Sequence, residues 1–153
     1  MDSNNTINEL LVNVFDNIMD IEERVLITGE FKNISKNDMH IIDAIGDNES
    51  RSMSVLARKL RVTVGTLTIA INSLVKKSYV TRIRSKEDKR VVLVSLSEKG
   101  KRAYQKHKAF HEDMVNAITY GLDEVQIHEL IKMLSNIQQF IKQLEDEEIS
   151  QSQ

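Results

Sequence analysis

The side chains best suited to molecular recognition are hydroxyl and amide groups in the segment from Thr63 to Lys76. At helical spacing the apolar residues of this segment fall on one face and a small, polar set falls on the other. Such a face can enter the major groove of DNA, where hydroxyls and amides meet base edges and an aliphatic group contacts a thymine methyl. The candidates for these contacts are Thr66, Ile69, Asn72 and Ser73.

Cationic side chains follow this segment closely and suit a phosphate backbone. Lys76, Arg82 and Arg84 are placed for phosphates, which attract Lys and Arg whatever the base sequence. Arg90 is expected to enter the minor groove, where narrow A·T-rich DNA attracts guanidinium groups. The remaining candidates for DNA contact are two hydroxyls at helix starts and two charged residues of a turn: Ser52, Thr63, Asp88 and Lys89.

A helix-turn-helix would position the first set of side chains. The run 52–60 predicts a short helix, Arg61 and Val62 predict a tight connection, and Thr63 can cap a second helix. A lone pattern of this kind often arises by chance. The elements that follow therefore decide its interpretation.

A β-hairpin would position the second set. The runs 79–84 and 91–96 are rich in β-branched residues and flank the charged turn 85–89, which predicts a two-stranded wing. Winged folds often carry a third strand before the helix-turn-helix, but this sequence gives little sign of one. The order helix, turn, helix, hairpin, with cations where phosphates would lie, favours DNA binding.

The wing and the residues after it resemble the D-x-R-x-x-x-V-x-L-[ST]-x-x-G signature of MarR-type winged-helix regulators. The residues that carry it are Asp88, Arg90, Val94, Leu96, Ser97 and Gly100. Over roughly residues 6 to 145 the chain is similar to one branch of that family, the repressors of bacterial fatty-acid synthesis genes. The runs that support this branch are 31–35, 39–43, 62–66, 84–85, 88–92 and 107–115. Ser78 departs from the family pattern, which usually has glycine there, so a mildly strained or altered turn is expected.

The resemblance implies that Asp88 orients Arg90. It also implies a co-repressor, long-chain acyl groups carried on acyl carrier protein. An acidic carrier could dock on cations of the helix after the wing, and an acyl chain could occupy a slot between the first, second and fifth helices. The docking candidates are Lys99, Lys101, Arg102, Lys106 and Lys108. The slot candidates, which a plain dimer core would explain equally well, are Met19, Phe31, Met39, Ile42, Phe110 and Met114.

Composition limits the class of protein. The chain has 153 residues, 41% of them hydrophobic, with no proline and five glycines, which favours one helical domain with a core. The lack of cysteine excludes disulfides and thiol redox sensing. No apolar run suits a bilayer and the start of the chain lacks the blocks of a signal peptide, so a cytoplasmic protein with no membrane partner is expected.

The net charge of −2 conceals a strong asymmetry. Residues 51–108 hold 16 Lys or Arg against 3 acidic residues, whereas the rest of the chain holds 5 against 20. Positive potential is thereby concentrated where DNA would bind.

The two ends of the chain predict long amphipathic helices. Residues 6–27 carry a continuous apolar stripe that Gly29 ends, and a second helix spans 37–45 with Ser35 or Asn37 as its cap. A helix follows from Ser97 to about residue 120. The last helix, capped by Asp123, has a heptad seam: Ile127, Leu130, Leu134, Ile137, Ile141 and Leu144. The tail 145–153 is expected to fray.

These elements predict a mainly α protein with a small β-wing (α+β), forming one compact domain. Residues 37–97 would be the winged helix-turn-helix, and residues 1–36 and 98–153 a helical dimerisation region. A homodimer would place two recognition helices ~34 Å apart on a pseudo-palindrome. An intramolecular bundle in a monomer is the alternative.

No set of residues suits catalysis, so we expect neither an enzyme nor a cofactor. His107 and His111 share one helix face, as ligands in a metal site would, but such pairs are more common as surface or dimer contacts, and we assign no metal. Three alternative functions are compatible with a winged-helix fold. They are a MarR-type regulator that responds to a small aromatic acid or zinc, a protein-interaction module, and an enzyme with a winged-helix dimerisation segment.

Overall fold

The computed structural model describes residues 2–151, apart from the side chains of residues 149 and 151. These residues form six α-helices and three short strands, with two helices before β1, two between β1 and β2, and two after β3. The helices are α1 (Ser3–Leu26), α2 (Lys36–Ile45), α3 (Met53–Leu60), α4 (Val64–Lys76), α5 (Glu98–Thr119) and α6 (Glu124–Gln151). The strands are β1 (Arg51–Ser52), β2 (Val80–Arg84) and β3 (Val92–Leu96). The predicted class, mainly α with a β-wing, is confirmed.

The described residues fall into two compact units, one ending at His111 and one beginning at Glu112. The first contains α1 to α4, the sheet and the first part of α5. The second contains the end of α5 and all of α6. No helix among residues 2–151 combines the length and apolar character needed to cross a membrane.

The core of the first unit lies where α2, α3, α4 and the sheet meet. Ile42, Ile45, Leu56, Ile71 and Leu74 are fully buried there. They come from three helices whose apolar residues recur at helical spacing, so each helix buries one face. This core fixes the direction in which α4 points its opposite, polar face.

The sheet is antiparallel, with strand order β1, β3, β2. β2 and β3 pair over five residues, from Val80 opposite Leu96 to Arg84 opposite Val92. The third strand common in winged folds, of which the sequence shows little sign, is present as β1, whose Arg51 and Ser52 pair with Val94 and Leu93. Two residues are too few for an alternating pattern to be visible in the sequence.

The helix starts follow the predicted capping chemistry. Ser35 caps α2 in a reciprocal capping box with Asp38, and Asp123 caps α6 in the same way with Gln126. The prediction of a frayed tail was wrong for residues 145–151, which continue α6, while residues 152 and 153 lie outside the described part.

Two turns place a residue other than glycine in the left-handed region. Arg61, between α3 and α4, has φ 56°, and Ser78, between α4 and β2, has φ 68°. The Tyr79 N–H donates to the Leu74 carbonyl and the Ser78 N–H to the Val75 carbonyl, which is the Schellman pattern. The strained turn expected at Ser78 is therefore present.

Candidate nucleic-acid interface

The polar face of α4 is open to solvent. Ile69 is 74% exposed, Thr66 and Asn72 are exposed, and Ser73 is partly buried. On the opposite face Leu67, Ile71 and Leu74 are at most 1% exposed. The helix is thus anchored by its apolar face, with the candidate base-reading side chains on the outside.

The two candidate hydroxyls at helix starts act as caps. The Ser52 hydroxyl accepts a hydrogen bond from the Val55 N–H at 3.3 Å. The Thr63 hydroxyl accepts one from the Thr66 N–H at 3.1 Å and donates to the Thr66 hydroxyl at 3.0 Å. A cap of this kind is worth about 1 kcal/mol. These residues position α3 and α4 whether or not they also contact DNA.

The wing and α4 are joined by side chains that sequence reasoning treated separately. The Arg82 guanidinium on β2 donates to the Asn72 amide oxygen on α4, and both residues are exposed. Arg82 therefore orients Asn72. The two share one exposed, polar site between the helix and the wing.

Asp88 organises the tip of the wing through the backbone. Its carboxylate accepts a hydrogen bond from the Arg90 N–H at 2.9 Å, and its own carbonyl accepts one from the Val91 N–H at 2.9 Å. The Ser85 N–H closes the turn on the Val91 carbonyl. Arg90 is exposed, as are Arg84 and Lys89. The turn thus presents Arg90 from a fixed backbone.

The rest of the MarR-type signature joins α5 to the wing. Val94 and Leu96 lie in the core, and the Ser97 hydroxyl donates to the Ser78 carbonyl and accepts from the Gly100 N–H at 3.1 Å. The Ser97 N–H also donates to the Tyr79 carbonyl at 2.9 Å. Most of the signature therefore supports the structure, and Arg90 is its exposed cation.

The slot candidates differ in burial. Phe31, Met39 and Ile42 belong to the core and are at most 5% exposed, and Phe110 is partly buried against the core cluster. Met19 is 45% exposed on α1, and Met114 is partly buried on the part of α5 that lies in the second unit.

The docking candidates on α5 contact other residues of the chain. Arg102 makes two hydrogen bonds to the Glu30 carboxylate, at 3.1 and 2.8 Å, which holds the pKa of Glu30 below its usual value. The Lys106 ammonium donates to the Thr28 hydroxyl at 3.0 Å. Lys99 lies over the Tyr79 ring and Lys101 pairs with Glu98, while Lys108 is exposed.

One cluster was missed by sequence reasoning. Glu22 on α1 and His107 on α5, each 7% exposed, lie with their side chains 3.1 Å apart. His111 and Asp43 complete the group, and the carboxylates of Asp43 and Glu22 raise the pKa of the His107 imidazole. The sequence pointed to the histidine pair, but Glu22 lies 85 residues from His107 and carried no signal except that it broke the apolar stripe of α1.

Comparisons with known proteins agree with this geometry. The family described as "Transcriptional regulator SarA/Rot" matches residues 27–107. FabT of Streptococcus pneumoniae, solved in complex with DNA, is 40% identical, with 93% of this chain and 99% of that chain covered and a TM-score of 0.80. A MarR variant of E. coli with operator DNA shares the fold at 24% identity and a TM-score of 0.56, with 90% and 99% covered.

Curated relatives carry similar descriptions. The HTH-type transcriptional regulator YpoP of Bacillus subtilis is 31% identical over 74 residues, which are 48% of this chain. The match spans about half of YpoP, 52% of its length. The family match, the exposed face of α4 and the cationic wing together identify a DNA-binding regulator of the winged-helix type: the chain belongs to the SarA/Rot family of transcriptional regulators.

Proposed function

We propose that this protein is a sequence-specific repressor of fatty-acid synthesis genes. It binds a pseudo-palindromic operator as a homodimer, with long-chain acyl-acyl carrier protein as co-repressor. The observation that carries the proposal is the 40% identity with FabT, which extends over nearly the whole of both chains. The FabT structure in this comparison is a complex with DNA. FabT is the fatty-acid repressor that the sequence resembles.

In this proposal α4 reads bases and the wing holds the backbone. Thr66, Ile69, Asn72 and Ser73 face the major groove, and the Arg82 contact fixes the direction of the Asn72 amide. A bidentate contact of such an amide with adenine discriminates by about 1–3 kcal/mol. Lys76, Arg84 and Lys89 contribute charge that is insensitive to sequence, and Arg90 enters the minor groove.

The exposed apolar faces support a homodimer. On α1, Ile7, Leu10 and Phe15 are more than 50% exposed. On α6, Leu134, Ile141 and Leu144 of the heptad seam are 55%, 49% and 46% exposed. Leaving such stripes in water is unfavourable, at roughly 25 cal/mol per Å² of apolar surface, so a second copy is the partner we propose for them.

Co-repression requires the acyl-loaded carrier to bind the DNA-competent form preferentially. When the carrier docks on α5, cationic side chains of α5 must leave their present partners and bind acidic groups of the carrier. The main contact that would be lost is that of Arg102 with Glu30. Because Phe31, Met39 and Ile42 are closely packed, an acyl chain must displace them or enter beside them near Phe110. Both features predict that an acyl group is needed in addition to the carrier's charge.

The test is operator affinity with and without the co-repressor. Genomic fragments retained by the protein are sequenced, and a labelled fragment is titrated by fluorescence anisotropy with long-chain acyl-carrier protein or with the same carrier lacking the acyl group. We expect fragments from upstream of fatty-acid synthesis genes and at least a tenfold tightening, about 1.4 kcal/mol, by the acylated carrier alone.

The outcomes separate the parts of the proposal. Equal affinity with both carriers overturns co-repression and leaves DNA binding intact, and zinc and a salicylate-like acid are then titrated as rival effectors. Recovery of unrelated fragments overturns the proposed target genes. A Lys101→Ala variant should respond less to the acylated carrier, whereas Lys142→Ala, an equal charge change on α6, should respond normally.

A further inference from the structure

Three metal-binding atoms converge inside the first unit. The Glu22 Oε1 atom lies 3.1 Å from His107 Nε2 and 3.6 Å from His111 Nε2. The two Nε2 atoms lie 3.1 Å apart. The residues come from α1 and from successive turns of α5. Three donor atoms from two helices therefore surround one point.

Hydrogen bonding alone satisfies this arrangement poorly. If both Nε2 atoms carried hydrogen, both N–H groups would have to share the one Glu22 oxygen, with the His111 nitrogen 3.6 Å from it and the two nitrogens only 3.1 Å apart, and if neither did, two lone pairs would face a carboxylate. No arrangement of protons gives all three contacts a hydrogen bond of normal length and direction. A divalent cation would accept a lone pair from each of them.

The spacing suits a tetrahedral ion. At metal–ligand distances of about 2.0–2.1 Å, the ligand atoms around zinc lie about 3.3 Å from one another. The three observed separations, 3.1, 3.1 and 3.6 Å, bracket that value. The donor set, two imidazoles and a carboxylate, is also one that zinc accepts.

The surroundings of His107 resemble the support that metal-bound histidines have. Its Nδ1 atom is buried without a hydrogen-bond partner among the described residues, and the Asp43 Oδ1 atom lies 3.3 Å from it. A carboxylate on the far nitrogen orients a ligating imidazole and increases its basicity. A small adjustment would complete this contact.

An open cavity leads to the three atoms. It has a volume of about 400 Å³, and its lining includes Glu22, Asp43, His107 and His111. His40 on α2 lines the same cavity and can supply a fourth ligand, as can water. The ion would have both an entry path and room to complete its coordination.

We propose that this chain binds one zinc-class divalent ion per protomer through Glu22, His107 and His111. Ligation ties α1 to α5 within the first unit and so stabilises the fold. The proposal does not depend on the identity of the operator or co-repressor, because the site is tested on the protein alone.

The first test measures binding directly. Chelator-stripped full-length protein is titrated with zinc chloride by calorimetry, and bound metal is counted after dialysis. We expect one zinc per chain, no comparable binding of magnesium, and a loss of at least tenfold in affinity in His111→Ala and Glu22→Gln. His128→Ala, which removes the exposed histidine of α6, should bind like the wild type.

The second test reports geometry and guards against misfolding. Cobalt(II) bound at the site should give the visible absorption of four-coordinate nitrogen and oxygen ligation, and His111→Ala should lose it while keeping its helical circular dichroism. Zinc should raise the melting temperature of the wild type and leave that of Glu22→Gln nearly unchanged. Failure of wild-type protein to bind zinc stoichiometrically overturns the proposal, as does undiminished binding by Glu22→Gln and His111→Ala.

Discussion

Gly100 lies against the backbone where α5 meets the wing. A Cβ atom added there would come 2.1 Å from the Tyr79 carbonyl oxygen, which itself accepts the Ser97 N–H. Because that oxygen belongs to the backbone of a buried residue, it cannot move aside cheaply. The glycine of the signature is therefore required by packing, and its role is not contact with DNA.

Gly100→Ala should destabilise the protein by about 3 kcal/mol or more, since the clash forces a backbone shift. Gly65→Ala is the matched control, because its added Cβ would approach the Thr63 hydroxyl only to 3.8 Å. That control should gain up to about 1 kcal/mol from better helix propensity. Urea denaturation followed by circular dichroism measures both, and equal stability of the two variants would refute the packing argument.

Ser78→Gly should stabilise the protein by about 1 kcal/mol, because a residue with a Cβ is strained at φ 68°. The hydrogen bond from the Ser97 hydroxyl ends on the Ser78 backbone carbonyl and survives the change. Thermal and urea unfolding give the difference. The control variant Ser135→Gly, inside α6, should instead be less stable than the wild type, because glycine weakens a helix interior. If Ser78→Gly were also less stable, the proposed backbone strain at Ser78 would be contradicted.

The charged turn of the wing has a defined conformation that side-chain hydrogen bonds to its backbone stabilise. Ser85 and Asp88 together accept three backbone N–H groups of the turn with their side chains. The sequence predicted both strands to within one residue, since β-branched runs around a polar turn are a strong local signal. It could not predict that Asp88 holds the backbone of Arg90, because the resemblance implied only that it orients the arginine.

Arg90→Ala should weaken operator binding by about tenfold and lower the slope of log affinity against log salt by about 1, since one cationic contact is lost. Fluorescence anisotropy at several salt concentrations measures both quantities. Lys142→Ala removes an equal charge from α6 and should leave both unchanged. Full affinity of Arg90→Ala would eliminate the insertion of the wing into the groove.

Local sequence patterns predicted the helices well, but they did not predict contacts between segments that are distant in the chain. The α1 stripe and the α6 seam follow from apolar spacing, and α6 continues through the acidic residues expected to fray. The meeting of Glu22 with His107, or of Arg102 with Glu30, joins distant segments, and no spacing rule reveals it. β1 has two residues and owes its existence to its partner β3.

A charge in the α6 seam should dissociate the proposed dimer. Leu134→Glu places a carboxylate on a side chain that is 55% exposed in the single chain, and burying it between two copies would be costly. Sedimentation velocity should find a monomer, and operator affinity should fall by about a hundredfold or more as bivalent binding is lost. Gln139→Glu, outside the seam, is the control, and a dimeric Leu134→Glu would show that this seam is not the interface.

The contact between Arg82 and Asn72 joins the wing to the recognition helix α4, two parts of a DNA-binding region that are usually considered separately. A change at Arg82 alone would let the Asn72 amide rotate and exchange its donor and acceptor ends. Regulators with identical recognition helices could then prefer different operators because of one position in a strand. Efforts to infer target promoters from the helix alone would miss this dependence.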